Sequence, residues 1–156
     1  MMPASLARNM LLAMLVLLGT GCATWSERAE ANHALAILDD GVRLHVGGDP
    51  EAAIRSYKKV LSITEDPEMK AAARGNIGLA LSTLGNTAAA QSNFETVVTL
   101  TRHPETKARA LNNIGELLQT QGQPDAARAS YEEALRLTTH PDLENVINKH
   151  LAELGQ

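Results

Sequence analysis

The chain has 156 residues, 44% of them apolar and 21% charged, with a formal net charge of −4, a balance that suits one ordered globular domain better than a disordered tail. A single cysteine excludes an intramolecular disulfide and any multi-cysteine metal centre, and the acidic balance argues against a nucleic-acid coat. Aromatic residues make up only 3%, so the core must be filled by Ala, Leu, Ile and Val, which favours closely packed helices over an aromatic-rich β-sandwich.

Residues 1–21 read as an export signal. Arg8 lies in a basic opening segment, Met10 to Leu18 form an uncharged apolar run, and the small residues Gly19-Thr20-Gly21 lead to Cys22. The run is well short of the ~20 residues a permanent membrane-spanning helix needs. Leu18-Gly19-Thr20-Gly21-Cys22 resembles the lipobox of bacterial lipoprotein precursors, with Gly19 where leucine is commoner. The resemblance implies cleavage before Cys22 and acylation of Cys22 as the mature N-terminus. Several acyl chains anchor firmly where one does not. With Ala23 rather than an acidic residue next, the resemblance further implies delivery to the outer membrane, facing the periplasm. Removing residues 1–21 also removes Arg8, which takes the net charge to −5.

Residues 22–33 are then a lipidated N-terminus, a short linker and the start of the first helix. Ser26-Glu27-Arg28-Ala29-Glu30 reads as a helix cap with an acidic first turn. Two places are open to Trp25, the membrane interface or the side of the first helix.

From residue 34 the chain repeats itself with a period of 37. Gly41, Gly78 and Gly115 superpose, as do Gly48, Gly85 and Gly122; Ala53, Ala90 and Ala127; Tyr57, Phe94 and Tyr131; and Pro67, Pro104 and Pro141. Each copy reads as two helices and a turn: Leu111, Ile114, Gly115 and Leu118 share one stripe, Gly122-Gln123-Pro124 breaks it, and Ala127, Tyr131, Ala134 and Leu135 share the next. In the first copy Gly48 suits a left-handed helix end, Asp49 a cap and Pro50 a first helical position. A glycine inside a helix costs ~1 kcal/mol relative to alanine. The compensation expected for Gly41, Gly78 and Gly115 is close approach of the partner helix, with the ring of Tyr57, Phe94 or Tyr131 taking the space. The copies run from about 34–70, 71–107 and 108–144. Residues 142–154 continue the phase as a capping helix, made polar by Lys149, His150 and Glu153.

These columns resemble tetratricopeptide repeats: Asn76-Ile77-Gly78, Leu81, Gly85, Ala90, Phe94 and Val97 in the second copy, and Asn113-Ile114-Gly115, Leu118, Gly122, Ala127, Tyr131 and Ala134 in the third. The resemblance covers about residues 34–156 and implies an all-α, helical-hairpin solenoid of three repeats plus the cap. The period exceeds the family's value of about 34, and Ile37, Arg74 and Leu111 replace the usual early aromatic. The extra residues, around Pro67 and Pro104, lengthen either the loop between repeats or the start of the first helix.

The resemblance also implies that the first helices line a concave surface that receives a peptide. The column before the Ile-Gly pair reads Asp39, Asn76, Asn113 and His150, and Arg109, Asn112 and Glu116 join it as candidate contacts. An asparagine amide offers both a donor and an acceptor, as an extended backbone requires. Neighbouring columns would contribute Leu38, Val42, His45 and Val46 from the first copy, Ala72, Leu79, Ser82 and Thr83 from the second, and Gln119 and Thr120 from the third. The apolar Leu38, Val42 and Ala72 stand where a two-carboxylate clamp would need polar or basic residues.

No nucleophile elbow, zinc-binding His pair, phosphate loop or dinucleotide fingerprint occurs in the sequence. His103 and His140 each precede a proline in one loop column, which fits turns better than metal binding. The expectation is therefore a protein without enzyme activity, cofactor or metal. The resemblance to lipoproteins built of tetratricopeptide repeats implies a lipid-anchored adaptor or assembly factor for a pilus, secretin or polysaccharide-export complex of the envelope, expected to be monomeric and to grip a peptide or helix of a protein partner. The alternative is a structural subunit that packs through convex or terminal surfaces, with exposed Val42 and Val46 as candidates.

Overall fold

The computed structural model describes residue 26 and residues 28–155, which form seven helices and no strand. The segment expected to be an export signal, together with Cys22 and Trp25, lies outside the described residues. Helix α1 covers 28–46, followed by α2 (Pro50–Ile63), α3 (Pro67–Thr83), α4 (Thr87–Leu100), α5 (Pro104–Thr120), α6 (Pro124–Leu137) and α7 (Pro141–Glu153). Helices α3 and α4, and α5 and α6, pair as hairpins, α1 meets α2 at Gly41 and Tyr57, and α2, α4 and α6 each lean on the first helix that follows. This is the helical-hairpin solenoid the repeat predicts.

Each hairpin turn is built identically. Gly48, Gly85 and Gly122 take φ values of 89°, 74° and 72°, the left-handed region that a side chain resists. That conformation lets the N–H of the following residue reach back into the helix: Asp49 to Leu44, Asn86 to Leu81 and Gln123 to Leu118, each at 2.9 Å. Asp49 and Asn86 then cap the next helix through the amides of Ala52 and Ala89.

Within each hairpin the helices meet at glycine. A Cβ on Gly41, Gly78 or Gly115 would lie closer than 3.0 Å to the ring of Tyr57, Phe94 or Tyr131 respectively. Those three rings are fully buried and are the largest side chains in the core. The core falls into two clusters, one around Ala34, Tyr57, Val60 and Ile77 and one around Phe94, Leu111, Ile114, Tyr131 and Ile147, with Leu81 packed against both.

The three extra residues per repeat lie in the first helices and not in a longer loop. Pro67, Pro104 and Pro141 open α3, α5 and α7, where a missing N–H costs nothing. Accordingly α3 and α5 have 17 residues against 14 in α2, α4 and α6. The helix pairs therefore start about four residues before the expected frame of 71–107 and 108–144.

The added turn carries a clasp, absent from the sequence reading, that ties the start of a hairpin's first helix to the end of its second. The buried Thr101 at the end of α4 donates its hydroxyl to Glu68 at the start of α3, and Arg102 N–H donates to the other Glu68 oxygen at 2.8 Å. One repeat on, the buried Thr138 donates to Glu105 at 2.7 Å. Each threonine also accepts the N–H two residues further on, that of His103 or His140, at 3.1 Å. The bonds to the carboxylate hold Glu68 below its ordinary value, with the Arg102 backbone N–H the largest cause and the Thr101 hydroxyl the next. His103 and His140 occupy the cap positions of α5 and α7 but make no side-chain cap bond.

Candidate functional site: the concave groove

The first helices of the repeats stand side by side. His45 on α1 lies 3.1 Å from the Thr83 hydroxyl on α3, and His150 on α7 lies 3.2 Å from Asn112 on α5. Between α3 and α5 the face opens into a groove of ≈ 400 Å³. Its α3 wall is Ala72, Gly75, Asn76 and Leu79; its α5 wall is Thr106, Arg109, Ala110, Asn112 and Asn113; Phe94 and Val97 form the floor and Leu143 of α7 closes one end. A second hollow of ≈ 310 Å³ continues it past Leu79 and Asn113 to Ser82, Glu116 and Thr120.

Helix periodicity decides which expected residues meet there. Asn76 and Asn113 are half-buried and face each other across the groove, and neither amide has a side-chain hydrogen-bond partner among the described residues. Arg109 is 63% exposed on the rim, with its Nε 3.5 Å from Glu105. Glu116 stands further along α5, about half exposed. Asp39 is exposed on α1, one repeat away, and lines neither hollow.

Asn112 and His150 differ from the expectation of free, partner-facing groups. Asn112 is only 5% exposed; its amide N–H donates to Glu116 at 2.6 Å and its oxygen accepts from His150 Nδ1. The His150 ring lies over Tyr131 with centroids 5.1 Å apart. Successive helix positions diverge by about 100°, so Asn112, though it lines the groove beside Asn113, is far more buried. It turns inward, and the cap closes over it.

The Tyr131 hydroxyl completes this network by donating to Gln119 at 3.0 Å. Its pKa is pushed up to about 12, first by burial and then by the negative charges of Glu116 and Glu153. The phenol therefore stays protonated and keeps its donor role at neutral pH. Gln119, expected on the open face, is held by this bond.

Sequence reasoning missed Gly75, Thr106 and Leu143 as groove residues, together with the floor role of Phe94 and Val97. The signal was present in the 37-residue columns, since Gly75 replaces Leu38 of the first copy. Among the described residues no cluster of His, Cys, Asp or Glu is placed to hold a metal ion, and no helix is long and apolar enough to cross a membrane.

Residues 69–140 match the tetratricopeptide-repeat family model. Among solved structures the chain is similar to the N-terminal domain of stress-induced protein-1 from C. elegans, with a TM-score of 0.66 and 19% identity, covering 78% of this chain and 97% of that one. It is also similar to the Yersinia enterocolitica type III secretion chaperone SycD in complex with a peptide of the translocator YopD, at TM-score 0.69 and 13% identity over 80% and 93% of the two chains. The second tetratricopeptide-repeat domain of Spaghetti (RPAP3), bound to the HSP90 peptide SRMEEVD, gives TM-score 0.60 and 19% identity over 71% and 99%. At such identities the likeness establishes the fold. No curated protein sequence matches the chain.

Proposed function

We propose that this tetratricopeptide-repeat solenoid, whose residues 69–140 carry the repeat sequence, is a non-enzymatic adaptor that holds a peptide segment of a protein partner in the groove between α3 and α5. The observation that carries the reading is the pair of unpartnered amides, Asn76 and Asn113, on opposite walls of a ≈ 400 Å³ groove. Both amides are part-exposed, so water serves them in the empty groove, and a peptide backbone offers the matching donor and acceptor. That the SycD and Spaghetti structures hold peptides supports the same use of the fold here.

The chain acts as a monomer tethered through acylated Cys22 to the outer membrane, facing the periplasm. Its partner belongs to an envelope complex of the pilus, secretin or polysaccharide-export type. Tethering raises the effective concentration of groove and partner on one surface, which compensates for the short groove of three repeats. The reading rests on the pattern of residues 1–22 and on the repeat.

Crosslinked cells carrying the C-terminally tagged full-length chain provide the test. One envelope protein should be captured, and the triple variant Asn76→Ala/Arg109→Ala/Asn113→Ala should lose it while melting at the same temperature. Equal capture by both would overturn the groove. Cys22→Ala should release the protein from the membrane fraction; retention there would overturn the anchor.

The second reading is a structural subunit packing through other surfaces. It is favoured by Val46, 84% exposed, and Leu35, 55% exposed, on α1, and it predicts self-association of the purified protein.

A further inference from the structure

The first helices make three joints along the concave face, and the same repeat columns face each of them. In the first joint, between α1 and α3, Leu35 and Leu38 stand on α1, and Leu38 packs against the cluster holding Tyr57 and Val60. In the third, between α5 and α7, the corresponding space is taken by His150 over Tyr131, bonded to Asn112. The middle joint has neither filling. The 37-residue period carries Leu35 to Ala72 and Leu38 to Gly75, so Phe94 and Val97, the counterparts of Tyr57 and Val60, floor an open hollow.

We propose that this middle joint is a side-chain notch that selects the peptide: one bulky apolar side chain of the Leu, Met or Phe kind enters it, and the residue beside that side chain is acidic. The inference rests on the groove reading above and adds the chemistry of the occupant. The notch is apolar at its floor and, apart from Asn76, on the α3 wall, and its ≈ 400 Å³ leaves room for a large side chain together with part of the backbone that carries it.

Charge fixes the neighbour. Arg109 on the rim is 63% exposed, with its Nε 3.5 Å from Glu105, and it forms no ion pair with any other carboxylate among the described residues. A carboxylate on the peptide matches that fork. Glu116 lies two turns further along α5, about 10 Å away by helix rise, and repels a carboxylate at that end. The acidic residue therefore sits on the Arg109 side of the notch. Asn76 and Asn113 take the main chain between.

The test is selection from a randomised displayed-peptide library on the full-length chain in detergent. It is repeated on Ala72→Leu/Gly75→Leu, which installs the leucines of the first repeat, and on Arg109→Gln. A Cβ on Gly75 would lie 3.8 Å from Val97, an ordinary contact, so the filled variant should fold. Ala72→Met, a milder filling at a half-buried position, serves if it does not. Enriched peptides should pair a large apolar residue with Asp or Glu and should bind the filled variant at least about tenfold more weakly. Arg109→Gln should erase the acidic preference and keep the apolar one. Enriched peptides without that pairing, or ones the filled variant retains, overturn the notch; if Asn113→Ala still abolishes their binding, the groove reading survives. A library that yields no binder overturns both.

Discussion

The interior of the helix hairpins and the concave face follow opposite rules. Inside the hairpins the three copies are near-duplicates, with glycine against a ring at Gly41 and Tyr57, Gly78 and Phe94, and Gly115 and Tyr131. On the concave face several columns change from copy to copy: Leu38, Gly75 and Asn112 occupy one, and Val42, Leu79 and Glu116 another, while Asn76 and Asn113 share a third with Asp39. Repetition marks what every repeat must do to fold and stack. Departure from it marks where one repeat is free to do something else, and the one open joint falls at such a departure.

The sharpest way to break the comparison is to put a side chain where the repeat demands none. Gly115→Ala places a Cβ inside the Tyr131 ring, so α5 and α6 must separate or the ring must leave a fully buried site. Overpacking of this kind costs about 3 kcal/mol, which chemical denaturation measures directly. Gly75→Ala, a glycine of the same helix type with open space before it, should be neutral or slightly stabilising. Equal effects at the two positions would show that the hairpin contact is not what constrains Gly115.

Next in size is the cap. Asn112→Ala removes the bond to Glu116 and leaves the His150 ring without its acceptor. Loss of a buried polar pairing costs about 1–3 kcal/mol, and the damage should be concentrated in α7, where hydrogen exchange should rise while α3 and α4 stay protected. Uniform loosening along the chain would place Asn112 in the general core and not in a terminal lock.

The hairpins were legible in the sequence because their physics recurs at a fixed spacing. A left-handed turn needs Gly48, Gly85 and Gly122, and a helix start tolerates Pro67, Pro104 and Pro141, so the columns state the fold directly. The face was legible only in part. Asn76 and Asn113 meet across the groove because they share a column and their neighbours leave them uncovered. His150 shares that column too, but it meets the buried Tyr131 and turns inward, and Asn112 follows it. Where the first helix of each repeat begins was hidden for another reason. Proline signals both a loop and a helix start, and only the Glu68 clasp on Thr101 and the Glu105 clasp on Thr138 distinguish the two.

Those clasps give a smaller, pH-dependent effect. The Glu68 carboxyl is held below its ordinary value of 4.5 by the Arg102 amide and then the Thr101 hydroxyl. A depressed folded-state value means the clasp stabilises fully above the unfolded pKa and fades as pH falls through the folded one. Glu68→Gln should therefore lower the melting temperature at neutral pH, and the gap to the unaltered protein should close as the pH drops below 4.5. A gap that persists in acid would mean that the glutamine loses contacts other than the charged ones.

The smallest effect on stability belongs to the groove itself. Asn76→Ala/Asn113→Ala removes two amides that bond to no side chain among the described residues, at half-exposed positions, so unfolding should shift by no more than about 0.5 kcal/mol. A gain is physically reasonable, because alanine is the better helix former and no partner is abandoned. Loss of binding with stability unchanged is the pattern of a surface kept polar for a ligand, at the expense of the helix that carries it. A clear loss of stability would instead place the two asparagines among the groups that hold α3 to α5, and the concave face would then differ from the hairpin interior in sequence but not in purpose.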